Sequence, residues 1–372
     1  MRNTDDIVEF NCTGYLRLIL MLFVCFWAFG CPEPTGIVTT LSGFATPAFF
    51  ILSGYYVLEN KREVRMEKTL RKIKRSALCF AIIFVIYLAI NIVVIFLHYT
   101  SFTFSKRALF NFVVLNLWPL KIGDNIWFIQ ALLYAYLVIF IADKLKLMKY
   151  YKIFLAVLIV IMLLTGEFAG AIRFDTILGY PYIPGNWLTR ALPYILIGRL
   201  MREKKKSLMK VKIWKYLIAF VVGGGLVMLE LLILGWAGVL RYDGHMIGFG
   251  VMAVALCGLA ISIPIGRPNR VIHFDSAISG LMYVLMNPIY CLMVLFLGEK
   301  YLYFLKMLGG PVALLISFLL SLILCGTPLG KIFFTNWDMR LAGAVVIDED
   351  DDEDEPLRPN MPPVRGPRID PD

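Results

Sequence analysis

Apolar runs long enough to cross a bilayer alternate along this chain with short polar segments. They fall at about 15–29, 37–58, 76–98, 126–142, 151–164, 187–201, 214–234, 246–263, 277–297 and 310–325. This pattern predicts an all-α integral membrane protein, a bundle of about ten transmembrane helices. Several runs fall short of the roughly 20 residues of a perpendicular span, and Arg17, Lys152 and Arg199 at their flanks are placed to snorkel and extend them. Residues 106–122 are apolar but short, and read as an interfacial helix or a re-entrant piece.

The polar segments set the orientation. Loops 59–75, 143–152, 202–215 and 264–276 together hold 21 Lys and Arg, whereas 30–36, 99–125, 165–186, 235–245 and 298–309 hold 7. By the positive-inside rule the first set is cytoplasmic, and with ten spans both termini are cytoplasmic as well.

Composition agrees with this reading. The chain has 372 residues, 59% of them hydrophobic, more than a soluble core can hide and an amount that lipid can solvate. The net charge of +10 sits in loops that would face anionic lipid, so the charge implies a bilayer partner and no nucleic acid. The 7 cysteines are scattered, without metal-ligand or CxxC spacing, so no metal site is expected. The first apolar run follows an acidic start and lacks an A-x-A site, so it reads as a retained helix. Residues 348–355 read DEDDDEDE and lead into a Pro/Arg-rich end. The chain thus divides into a membrane domain, 1–340, and a disordered acidic and Pro-rich cytoplasmic tail, 341–372.

Chemistry is sought where polar groups interrupt apolar helices, because a charge in lipid costs several kcal/mol unless paired or wet. Arg17, Asp124, Arg190, Arg199 and Glu230 are such groups. Arg199 reads as a cytoplasmic snorkel, and Glu230 needs a polar partner. Asp124 or Asn125 would cap the fourth helix; alternatively, with Trp127 as a stacking platform, this segment binds a sugar-like acceptor. The outer loop 165–186, carrying Glu167, Arg173 and Tyr180, is long enough to shape a site. The segment 41–58, with Ser53 and Gly54, has the small residues that let helices pack closely in lipid. The basic run that follows has spacings of three and four, which put several cations on one helix face. It reads either as an anchor to anionic headgroups or as a clamp for the phosphates of a nucleotide-type donor such as coenzyme A.

The order of these segments resembles the family-3 membrane acyltransferases. The resemblance rests on Arg17 in the first helix, FFILSGYYV at 49–57, RKIKR at 71–75 and NIWFIQALLYAYL at 125–137. LIGRLMREK at 196–204 and DSAISGLMYVLMNPIY at 275–290, with Ser279, Tyr283 and Pro288, complete it. It spans about residues 11–335. What it implies is acyl transfer across the membrane: an acyl-CoA donor, acetyl-CoA by this resemblance, on the cytoplasmic side, and an acceptor hydroxyl of a cell-envelope glycan or lipid-linked precursor. The resemblance further implies O-acetylation at a bacterial cytoplasmic membrane, with no permanently bound cofactor. Arg71, Lys72 and Arg75 would grip donor phosphates. Arg17 would orient groups in the pore. Asp124, Trp127 and the 165–186 loop would face the acceptor.

The chain departs from the family at one position. The family carries His eleven residues after the Arg of helix one, and Ala28 stands there. At 1.5 Å per residue, positions 17 and 28 lie roughly 16 Å apart, so no register shift restores it. Of the three histidines, His98 sits at a helix end and His273 in a cytoplasmic loop. His245, beside Asp243, is the remaining candidate base. Two readings follow: an acyltransferase whose base has moved, and an inactive relative acting as a small-solute transport or binding module.

Overall fold

The computed structural model describes residues 11–32, 35–96, 106–116, 123–166, 186–238, 246–264, 275–297, 301, 304–325 and 327. The helices are α1 (Thr13–Phe29), α2 (Ile37–Val57, with a tighter 3-10 turn at Ser42–Phe44), α3 (Arg62–Phe96), α4 (Lys106–Val113) and α5 (Trp127–Lys144). They continue as α6 (Tyr151–Thr165), α7 (Leu192–Glu203), α8 (Ile213–Trp236), α9 (Ile247–Ser262), α10 (Asp275–Leu297) and α11 (Gly310–Cys325). Among the described residues the sole extended pairing is a bridge between Asn11 and Pro264. Every apolar run read from the sequence coincides with one of these helices. Seven are long and apolar enough to cross a membrane, and α1 and α9 are shorter apolar helices.

One boundary is corrected. Residues 59–75, expected as a loop, are mostly helix, because α3 begins at Arg62 and runs 35 residues. That is roughly 52 Å, well beyond the ~30 Å hydrocarbon core. The basic stretch is rich in good helix formers, so the ladder of the apolar run continues through it without a break.

Small residues set how the helices cross. A Cβ on Gly54 would lie 2.0 Å from the Ile195 carbonyl oxygen, and one on Gly198 would lie 2.1 Å from that of Ile51. The backbones of α2 and α7 therefore touch, as small residues allow in lipid. α8 shows the same economy of surface. Its buried residues Tyr216, Gly223, Val227, Glu230 and Leu234 form one stripe against α9, while much of the remaining surface of the helix is exposed and apolar. Glu230 finds a partner there: the Gly248 amide donates to its Oε2 at 3.4 Å. α7 starts from a wide π-type turn at Trp187–Ala191, which Asn186 caps by accepting from the Leu188 and Thr189 amides.

The basic segments meet at one end of the bundle. Arg62 donates to the Asp143 carbonyl at 2.9 Å, Arg202 reaches Glu59 at 2.9 Å, and Lys152 reaches Glu203 at 3.3 Å. Tyr216 and Ser262 both donate to the Leu208 carbonyl. The amide of Cys12, just before α1, is tied to Ala260 and Ile263 at the same end.

Candidate functional site

The first half of the basic run on α3 is bound into the fold. Arg65 is 4% exposed and Asp143 1%. They form a two-point pair, Nε to Oδ2 at 2.6 Å and Nη2 to Oδ1 at 2.7 Å. The remaining nitrogen of Arg65, Nη1, donates to the carbonyls of Glu59 and Asn60 at 2.8 and 3.0 Å. The planar guanidinium meets the carboxylate with two nitrogens and still has the third for the carbonyls. Lys68 donates to Glu59 at 2.7 Å. Burial alone would raise the Glu59 carboxyl, but Arg202 and Lys68 override it and hold it below its ordinary value.

Arg199 is corrected here as well. Instead of reaching out to headgroups it is buried, with its guanidinium 4.2 Å from the Tyr151 ring centroid and Nε 3.4 Å from Glu203. The aromatic face and the carboxylate together make burial of the charge tolerable.

The second half of the run faces inward. A cavity of about 220 Å³ lies between α1, α2, α3, α5 and α10. From α3 it is lined by Lys68, Arg71, Lys72, Arg75, Ser76 and Cys79, a helical stripe of three- and four-residue steps. From α2 it takes Phe49, Leu52, Ser53, Tyr56 and Val57, a second stripe of the same spacing. Gly54 lies on the other side of α2, where it meets α7. α1 contributes Arg17 and Met21, α5 contributes Phe128, Ile129, Leu132 and Tyr136, and α10 contributes Ser279, Gly280 and Tyr283. Arg71 is half-exposed and pairs with Glu67 one turn back, so the cavity reaches solvent on the basic side.

Hydrogen bonds fix the polar groups of this wall. The Arg17 guanidinium sits 4.9 Å from the Tyr56 ring centroid. Tyr56 donates its hydroxyl to Asn11 at 3.1 Å and shares a further bond with the Thr13 hydroxyl. Ser53 Oγ lies 2.5 Å from Tyr136 Oη. Tyr283 and Asn125 bond reciprocally: the phenol donates to the Asn125 carbonyl and the Asn125 amide to the Tyr283 carbonyl, both at 2.8 Å.

The structure therefore brings together Arg17, Ser53, Arg71, Lys72, Arg75, Ser279 and Tyr283 around one space. It keeps Trp127 out of that lining. Trp127 is partly buried, with the Arg190 guanidinium 5.5 Å from its ring and Phe50 edge-on to it. Asp124 lies in the single 3-10 turn that opens α5, and its side chain is outside the described set. Ala28 is exposed near the far end of α1 and does not line the cavity. Glu167, Arg173, Tyr180, Asp243, all three histidines and the tail lie outside the described residues. Among the described residues no cluster of His, Cys, Asp or Glu has the makings of a metal site. Sequence reasoning passed over Asp143, Glu59, Tyr56 and Tyr136. The signal for Tyr56 was available, since it follows Ser53 by three residues and must share its face.

A basic entrance, an apolar wall and hydroxyls deeper in suit a ligand with an anionic end and a less polar arm. Comparison with known proteins gives a family match. A family model described as an acyltransferase domain matches residues 12–328. No curated protein and no solved structure was found to match.

Proposed function

The chain belongs to the family-3 acyltransferases and is a membrane acyltransferase; we propose that it moves an acetyl group from acetyl-CoA to a hydroxyl of a cell-envelope glycan or a lipid-linked precursor. The observation that carries this reading is the cavity in which Arg71, Lys72 and Arg75 stand on one stripe opposite Arg17, Ser53 and Tyr136. Phosphate oxygens bind guanidinium and ammonium groups through charge-assisted hydrogen bonds, the strong class of such bonds. The pantetheine arm of the donor then lies along Phe49, Leu52, Phe128 and Leu132, where apolar contact suits it.

In this reading the basic end of the bundle is cytoplasmic, where the positive-inside rule places it and where acyl-CoA is made. The protein sits as a multi-pass protein in a bacterial cytoplasmic membrane. The acceptor approaches from the opposite side, near the start of α5 and the 165–186 segment. Asp243 and His245 are the pair to test as a base on that side.

The test supplies acetyl-CoA labelled in its acetyl group to membranes containing the protein. The expected result is label in the glycan or lipid-linked fraction as a base-labile ester, absent from membranes without the protein. Label no higher than in those control membranes would contradict the reading, and would turn attention to a transport or binding module.

A further inference from the structure

We propose that Ser53 is the nucleophile of an acyl-enzyme intermediate, with Tyr136 relaying its proton. The proposal rests on the acyl-CoA reading above. Its basis is the way hydroxyls are used in the described helices. Ser42, Thr69, Thr165 and Ser321 all donate back to a carbonyl four residues earlier in their own helix. That is the usual refuge of a hydroxyl in an apolar helix, since it satisfies the donor locally. Ser53 does otherwise: its Oγ is bonded across the helix boundary to Tyr136 Oη at 2.5 Å.

Position adds to this. Ser53 and Tyr136 both line the cavity, on the same space as Arg17 and the cations of α3. Tyr136 is 1% exposed, so its phenol is held in place by packing, while Ser53 is only partly buried. A serine hydroxyl is a weak nucleophile until a neighbouring group within hydrogen-bond reach takes its proton. Here that group is a phenol, and no imidazole is needed at position 28.

The step balances without an added reagent. Ser53 Oγ attacks the thioester carbonyl carbon, forming the O–C bond as the C–S bond breaks. The Ser53 proton passes to the Tyr136 oxygen while Tyr136 gives its own proton to the departing sulfur, so CoA leaves as a thiol and Tyr136 ends neutral. Arg17 supplies positive charge in the same cavity for the oxyanion that develops on the carbonyl oxygen. In the second half an acceptor hydroxyl attacks the Ser53 ester, and the relay runs in reverse to restore the serine.

An acyl-enzyme predicts exchange of free CoA into acetyl-CoA with no acceptor present. The experiment incubates the purified full-length protein with acetyl-CoA and labelled CoA, and measures label in acetyl-CoA. Acetyl-CoA binding is measured by calorimetry on the same preparations. Wild type should exchange; Ser53→Ala should lose exchange by about 100-fold or more, and Tyr136→Phe by a similar factor, with binding kept in both. Binding without exchange in the wild type, or undiminished exchange in Ser53→Ala, overturns the serine proposal and leaves the donor reading standing. No binding in the wild type overturns the donor reading and the serine proposal together.

Discussion

Arg62, Arg65 and Lys68 begin α3, and Arg71, Lys72 and Arg75 follow within two turns, yet the two sets do different work. The first set is held by Asp143, Glu59 and backbone carbonyls, and closes the basic end of the bundle. The second lines the cavity, which Lys68 of the first set also reaches, with Arg71 half-exposed beside Glu67. The first half also carries Glu63 and Glu67, whereas the second carries a further cation, Lys74, and no acid. Carboxylates from outside the helix hold Arg65 and Lys68, whereas Arg71 pairs with Glu67 of its own helix. A run of cations is thus read correctly only after its structural partners are subtracted.

Removing the anchor of the first set is the largest expected effect. Asp143→Ala leaves the Arg65 guanidinium buried without its carboxylate, and should cost about 3–5 kcal/mol in unfolding measured in detergent. The pair replacement Arg65→Met with Asp143→Leu should recover most of that loss, because it removes both charges together. An unchanged stability in Asp143→Ala would erase the distinction between the two sets.

α2 offers the next contrast, between adjacent residues. Gly54→Ala drives a Cβ to 2.0 Å from the Ile195 oxygen, so α2 and α7 must part. Such overpacking should lower stability by about 1–3 kcal/mol. Ser53→Ala, on the cavity face, should shift it by less than about 1 kcal/mol, the net worth of one hydrogen bond. Thermal unfolding of both variants reads the difference directly.

Acid titration probes Glu59. Its carboxyl is held below its ordinary value of 4.5 in the folded protein. A depressed carboxyl contributes stability that is fully present above the unfolded value and is lost as pH falls through the folded one. Stability should therefore fall below about pH 4.5, and Glu59→Gln should flatten that limb while leaving less stability near neutrality. An unaltered acid limb in Glu59→Gln would show that Lys68 and Arg202 do not depend on this carboxylate. The smallest effect is expected at the exposed Arg71–Glu67 pair: Glu67→Ala should cost no more than about 0.5 kcal/mol.

Much of the fold was legible in the chain. Ten apolar runs became helices, and three of the cation-rich segments, 59–75, 143–152 and 202–215, meet at one end. The beginning of α3 was not, because a charged amphipathic turn and a polar loop have the same composition, and only the continuing backbone ladder distinguishes them. Arg199 was misplaced for a related reason. Its aromatic and acidic partners, Tyr151 and Glu203, lie on α6 and one turn along α7. The candidate site was half legible. Arg17 and the α3 cations stand out by motif and spacing, whereas Ser53 reads from the sequence as a helix-packing residue and Ser279 and Tyr283 only as parts of a motif. Tyr136 does not, because nothing local says which tyrosine of an apolar helix faces Ser53.

The central claim is the division of labour along α3. The most direct test is acetyl-CoA affinity in Arg71→Ala/Arg75→Ala, read against the unfolding midpoint of the same preparation. The account predicts at least about a tenfold loss of affinity, since each charge-assisted hydrogen bond carries roughly 1.5–3 kcal/mol, with the midpoint nearly unchanged. Undiminished affinity, or a fall in stability as large as that of Asp143→Ala, would contradict it.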